Sequence, residues 1–264
     1  MQDLQSSEME GLIRADEGGL KTIASWAMGQ IAARRSRDDL PMRADLMRAL
    51  VQASISPSTQ AMTALASDLF RQKISAEDFA DRYITAAAEE MGRAWAEDRM
   101  SFAEVTMGMA RLQSLLRDLG NMWSADLSVG AGGAARSVLI VMPAFEQHSL
   151  GALLLMGQLR RRGVSVALAL GVPASDICRR VRASRFDAVL ISVACVDRLA
   201  DLAEFVTAAR AGGCALPPVV VGGGILNHPA DVKAETGADA ALKDVEQVLR
   251  FCSLLERNGA RQRA

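Results

Sequence analysis

The sequence predicts an α/β protein in two parts, an N-terminal domain of four helices and a C-terminal Rossmann-like, doubly wound parallel sheet. Three observations carry the prediction. The 264 residues exceed what one small core needs and suit two domains of ordinary size. Half of the residues are apolar while only 4% are aromatic, a composition of Ala/Leu/Val-rich helices and buried strands rather than of a β-sandwich. The texture also changes in mid-chain, from helical periodicity to short β-branched runs alternating with amphipathic stretches.

Residues 1–39 are polar and mixed in charge, with Gly11, Gly18 and Gly19 around one short amphipathic run at Leu20–Ala33, and read as a flexible leader. The helical domain occupies 40–123. Apolar residues recur at helical spacing over Leu40–Ala53, Ser58–Gln72, Ala76–Glu97 and Phe102–Trp123. Ser75 ahead of Glu77 and Asp78, and Ser101 three residues before Glu104, place capping side chains where helix starts leave amides free. Residues 124–135, SADLSVGAGGAA, bury little surface and read as a linker. The second domain, 136–258, alternates strands with helices, and 259–264 form a tail. Its expected strands are Val138–Met142, Val164–Leu170, Ala188–Val193, Val219–Val221 and a weak Ala238–Ala241. The stretches Leu150–Arg162, Ala174–Ser184, Arg198–Ala211, Pro229–Thr236 and Val245–Glu256 have helical length, and right-handed crossovers then give a doubly wound sheet.

Charge and cysteine usage narrow the function. A formal net charge of -1 argues against coating nucleic acid, which needs many Lys/Arg contacts to phosphate. The four cysteines Cys178, Cys195, Cys214 and Cys252 lack CxxC spacing and read as reduced, mostly buried thiols. With no apparent secretory leader and no apolar run of about 18 residues, a cytoplasmic location without membrane insertion is expected. The Arg160–Arg162 run and the arginines of 179–185 read as solvated helix faces.

In a doubly wound sheet, ligands bind at the C-terminal ends of the strands, so the loops after them are where chemistry is sought. Of the two histidines, His148 falls directly after the first strand, two residues beyond Glu146 and three before Gly151. A carboxylate so placed accepts the Nδ1 proton, fixes the tautomer and leaves Nε2 free for a metal, while Gly151 leaves backbone space. The fourth strand runs into Gly222, Gly223 and Gly224, where missing side chains let a bulky group approach the backbone. His228, ahead of Pro229, reads as a cap for the next helix, and Cys195 as a buried thiol.

These loops resemble the DxHxxG…SxL…GG pattern of B12-binding domains, in Glu146-Gln147-His148-Ser149-Leu150-Gly151, Ser192-Val193-Ala194 and Gly223-Gly224. The resemblance implies a corrinoid held base-off and His-on. His148 would replace the dimethylbenzimidazole base as lower ligand, and Ser192 with Gly222, Gly223 and Gly224 would line the path of the nucleotide tail. Glu146 stands where Asp is usual, and Ala194 where the pattern has Leu. The helical half resembles the cap over the upper corrin face in methionine synthase and in B12 photoreceptors, with Trp95 as the shielding residue. Val105-Thr106 stands where photoreceptors that keep adenosylcobalamin have Glu-His, which implies a different upper ligand. Met107 and Met109 fall near that face, though Met at helical spacing usually means core.

Over residues 40–258 the sequence resembles the AerR/PpaA family of photosynthesis-gene antirepressors, through Trp95, Glu104-Val105-Thr106 and Pro143-Ala144-Phe145-Glu146-Gln147-His148. Membership implies binding of hydroxo- or aquocobalamin after light removes a larger upper ligand, and action on a PpsR/CrtJ-type repressor. A non-enzymatic light-responsive regulator with indirect DNA contact is therefore the leading expectation, since the leader is too short and weakly basic for a winged-helix reader. The alternative is a corrinoid carrier of a methyltransferase system, which would share both domains. A mutase subunit is the lesser expectation, since radical chemistry calls for a substrate barrel of ~250 residues and this sequence shows none.

Overall fold

A computed structural model describes residues 42–72, 74–127 and 136–254. The leader at 1–39, the tail at 259–264 and residues 128–135 of the expected linker lie outside the described residues. The chain divides into two compact units, with the boundary between Met122 and Trp123.

The first unit contains α1 (Ala44–Ile55), α2 (Thr59–Arg71), α3 (Ala76–Asp78), α4 (Thr85–Ala96) and α5 (Phe102–Leu127). A π-helical stretch, Phe79–Ile84, joins α3 to α4, so the single helix expected over 76–97 is one rod with a widened middle. Helix α5 continues through residues 124–127, which the sequence had assigned to the linker. Its core is built from Leu50, Leu69, Phe79, Ile84, Met91, Leu112, Leu115 and Leu119. Both predicted caps form. Ser75 Oγ accepts from Asp78 N at 3.0 Å, and Ser101 and Glu104 make a reciprocal box, Glu104 Oε2 accepting from Ser101 N at 2.8 Å. Helix α5 crosses its neighbours closely at Gly108, where a Cβ would lie 2.6 Å from Met91 Sδ and 3.2 Å from Ile55 Cγ2.

The second unit alternates β1 (Ser137–Pro143), α6 (Leu150–Arg161), β2 (Ser165–Val172), α7 (Ser175–Ala183), β3 (Ala188–Ser192), α8 (Leu199–Ala211), β4 (Val219–Gly222), α9 (Val232–Thr236), β5 (Ala240–Ala241) and α10 (Val245–Phe251). The five strands are all parallel in the order β2-β1-β3-β4-β5. Strands β1 and β3 are buried nearly throughout because helices cover both faces, α6 with α10 on one and α7, α8 and α9 on the other. The order reverses between β1 and β3, and there the crossovers diverge to opposite faces and leave a crevice at the C-terminal strand ends.

At the N-terminal ends, aspartates clip neighbouring strands together. Asp187, just before β3, accepts from Ser137 N at 2.8 Å and pairs with Arg136 at 3.0 Å. Asp239, just before β5, accepts from Val219 N at 2.7 Å and pairs with Arg210 at 3.0 Å. The expected set of reduced thiols is corrected here, because Cys178 and Cys214 form a disulfide with Cα atoms 5.8 Å apart. Packing of α7 on α8 brings them together, and Gly212 makes the room, since a Cβ there would lie 3.2 Å from Cys178 Cβ and Sγ.

Candidate functional site

The loops that follow β1 and β3 meet through one carboxylate. Glu146 is buried, with its side chain 1% exposed, whereas the His148 side chain is 61% exposed. Glu146 Oε1 accepts from Gln147 N at 2.8 Å, His148 N at 2.7 Å and His148 Nδ1 at 2.6 Å. Its Oε2 reaches across to the β3 loop and accepts from Ala194 N at 2.7 Å. Burial pushes the Glu146 carboxyl up, but the hydrogen bonds from His148 N, Ala194 N, the His148 ring and Gln147 N outweigh it and hold its pKa below the ordinary glutamate value. The carboxylate is therefore ionised at neutral pH and can only accept, so the proton of a neutral imidazole sits on Nδ1. His148 Nε2 is left with its lone pair on an exposed ring.

Cys195 completes the cluster. Its Sγ lies 3.6 Å from His148 Nδ1, and ligand atoms of Glu146, His148 and Cys195 all fall within 4.8 Å of one another. The thiol is partly exposed, not buried as expected. Its pKa is raised, first by desolvation and then by the Glu146 charge. Because Glu146 already accepts four hydrogen bonds, the ring nitrogen left open at the crevice is His148 Nε2, with the Cys195 thiol beside it.

Ser192 is buried at the end of β3, with its Oγ 3.7 Å from where a Cβ on Gly151 would stand, so β3 and the start of α6 face each other across a gap that a larger residue at 151 would narrow. Ser149 is half-buried, and its carbonyl accepts from Leu153 N at 3.0 Å to start α6. The glycine run also packs loop against loop. Gly223 has φ +97°, and a Cβ there would overlap Val193 O, while a Cβ on Gly224 would overlap Ala194 O. The missing side chains thus let the β4 loop lie against the β3 loop, with Ile225 N donating to Val193 O at 3.1 Å. A Cβ on Gly222 would stand 3.1 Å from Leu242 O, which ties the same run to the end of β5. His228 does not cap α9. Asp231 does, accepting from Ala234 N at 3.2 Å, and His228 Nδ1 instead accepts from Ala230 N at 3.0 Å.

Glu146, His148, Ser149, Gly151, Ser192 and Gly222–Gly224 thus gather at one edge of the sheet. Trp95, Val105 and Thr106 belong to the helical unit. Trp95 is 52% exposed, and its ring centroid is 6.5 Å from that of Phe102, itself 71% exposed. Val105 is half-buried, and Thr106 and Met107 are exposed at the start of α5. Phe102, which opens the Phe102–Thr106 segment of the cap resemblance, belongs to the same patch as Trp95. It also missed the Ala194 amide, which no side-chain pattern can reveal.

An imidazole with a free nitrogen, fixed by a buried carboxylate at the switch point of a parallel sheet, fits the lower face of a corrinoid and defines a cobalamin-binding protein. The B12-binding-domain model matches residues 136–250. A 20.5 kDa protein from the bchF-crtJ intergenic region of Rhodobacter capsulatus is 40% identical over 182 residues, 69% of this chain and 94% of its own. The chain belongs to the AerR/PpaA family of B12-binding proteins. The monomethylamine corrinoid protein of Methanosarcina barkeri shares the fold, with a TM-score of 0.61 at 12% identity over 80% of this chain and 95% of that one. A cobalamin-binding protein from Desulfitobacterium hafniense DCB-2 is 20% identical over 78% of this chain and 97% of its own, with a TM-score of 0.39. Among the described residues no helix is long and apolar enough to cross a membrane.

Proposed function

We propose that this protein is a non-enzymatic, light-responsive regulator that holds cobalamin base-off with His148 as lower ligand. It acts in the cytoplasm on a PpsR/CrtJ-type repressor of photosynthesis genes and touches DNA only through that partner. The observation that carries the reading is the exposed His148 ring, its Nδ1 fastened 2.6 Å from a buried carboxylate and its other nitrogen free. The relative from the bchF-crtJ interval supports the regulatory half.

When bound, the corrinoid supplies a cobalt centre whose upper ligand can be exchanged or lost to light. The chain's own residues do the rest. Glu146 keeps the hydrogen on Nδ1 and strengthens the donor character of Nε2. The Ala194 amide fixes the carboxylate from the β3 side, so the ring enters the crevice with one orientation. Hydroxo- or aquocobalamin is the form that membership of the AerR/PpaA family implies.

The test compares wild type with His148→Ala after incubation with hydroxocobalamin and removal of free ligand, by absorption spectra before and after illumination. Retention with a His-on spectrum in the wild type and its loss in the variant supports His148 as ligand. A light-dependent change favours the sensor, and light-dependent relief of a PpsR/CrtJ-type repressor on promoter DNA tests the partner. Methyl transfer from methylcobalamin to an acceptor with a partner methyltransferase would instead establish the carrier reading.

A further inference from the structure

Cys178 and Cys214 close a disulfide beside the loop that enters β4, away from the edge that carries His148. The two sulfurs stand in different surroundings. Cys178 lies on α7 and is 5% exposed, next to a fully buried Ile177. Cys214 lies in the loop between α8 and β4 and is half-buried, flanked by the exposed Gly213 and Ala215. Gly213 turns the chain there at φ +73° and presents no side chain. Arg182 donates to Gly213 O at 2.6 Å, and among the described residues no carboxylate pairs with it, so a guanidinium charge that favours a thiolate stands beside the Cys214 backbone. Just beyond the cross-link, Val181, Arg185 and Phe186 on one side and Ala215, Leu216 and Pro217 on the other line a cleft of about 420 Å³. The disulfide ties one wall of that cleft to the other.

Thiols in a cytoplasm are kept reduced, and a disulfide found there is one that forms and breaks. One with a sulfur at the surface is open to exchange. We propose that the Cys178–Cys214 pair is a thiol–disulfide exchange site, opened by a protein dithiol that attacks Cys214 Sγ. The inference rests on the cytoplasmic part of the proposed function. The incoming thiolate bonds to Cys214 Sγ, the bond between the two cysteines breaks, and Cys178 leaves as a thiolate that takes a proton from solvent. The second thiol of the reductant then attacks the reductant's own sulfur in the mixed disulfide and releases Cys214, which is protonated in turn. Two electrons and two protons pass to this chain, and the dithiol becomes a disulfide. The Ala215–Pro217 wall thereby loses its covalent tie to α7, while the His148 edge is untouched.

The experiment treats the full native chain with dithiothreitol and then, after its removal, with oxidised glutathione. Free thiols are trapped with iodoacetamide and located by mass spectrometry, and backbone hydrogen exchange is followed at 211–216 and at 144–151. Without denaturant, dithiothreitol is expected to free Cys178 and Cys214 together, and oxidised glutathione to close them again. Exchange at 211–216 rises about tenfold on reduction, with 144–151 within twofold. Cys178→Ser, which leaves Cys214 alone, forms a mixed disulfide with glutathione about tenfold faster than Cys214→Ser, which leaves Cys178 alone. A disulfide that yields only when the chain unfolds, a reduced pair that oxidised glutathione does not close, or faster reaction at Cys178 overturns the proposal. Where the variants lose their fold, the wild-type titration decides. Cell fractionation tests the cytoplasmic reading separately: a chain recovered outside the cytoplasm overturns that reading, and the titration still decides whether the pair exchanges.

Discussion

The two edges of the parallel sheet use one device for different ends. At the N-terminal edge, Asp187 and Asp239 each accept a backbone amide of the neighbouring strand and pair with an arginine, so each carboxylate is neutralised where it stands. The loop entering β4 is further fastened by the disulfide at Cys214. At the C-terminal edge, Glu146 also accepts an amide from a neighbouring loop, but its remaining partner is an imidazole that stays open to solvent. A carboxylate paired with arginine is spent on holding strands together. The same group paired with histidine holds two loops and leaves the second ring nitrogen open at the surface. This contrast separates the part of the sheet that carries stability from the part that carries function.

Breaking the closed edge should destabilise the domain without changing its affinity for ligand. The largest effect is expected from the disulfide: Cys178→Ser with Cys214→Ser removes a cross-link over 36 residues and costs roughly 3–4 kcal/mol on a chain-entropy scale. Urea titration reads the loss, and cobalamin affinity is unchanged. Asp187→Ala strands the Ser137 amide and the Arg136 guanidinium and should cost about 2 kcal/mol, again with ligand binding intact. If either change also abolished cobalamin retention, the separation between the edges would fail.

At the open edge the signs exchange. Glu146→Gln keeps the shape but turns one acceptor oxygen into a donor facing a backbone amide, and is expected to cost about 1 kcal/mol of stability while weakening cobalamin binding about 10–100-fold, as second ligand shells do. Equilibrium dialysis beside thermal melts distinguishes the two readouts. The smallest effect is chemical. Burial, helped by the charge of Asp239, pushes the Cys252 thiol up to about 11, so on the order of one molecule in a thousand is thiolate at pH 8. Mass spectrometry after brief iodoacetamide treatment should find Cys195 alkylated ahead of Cys252, and Cys252 labelled only once the chain is unfolded.

Much of this architecture was legible before the structure. The runs at Val138–Met142 and Ala188–Val193 named β1 and β3 because strands covered on both faces are continuously apolar, and capping serines marked helix starts. His148 and Glu146 stood out because metal chemistry needs a fixed imidazole. What stayed hidden depends on proximity without pattern. The Cys178–Cys214 pair follows from how α7 packs on α8, and no spacing rule encodes it. The glycine run was visible, but its packing against another loop was not, because the backbone it approaches belongs to a loop about 30 residues earlier in the sequence. Strand β5 is confined to Ala240–Ala241, with Asp239 just before it bonded to Val219 at the start of β4.

The span of Glu146 carries a mechanical consequence. Its two oxygens are shared between the β1 loop and the Ala194 amide 48 positions further on, so the ring of His148 and the entrance to α8 hang from one rigid carboxylate plane. Any tug that draws the imidazole outward rotates that plane and pulls on the β3 loop behind it. The extra methylene that distinguishes glutamate from aspartate lengthens this lever, and through it a shift of the His148 ring would be passed, as a displacement rather than as a charge, to the helix that begins at Leu199.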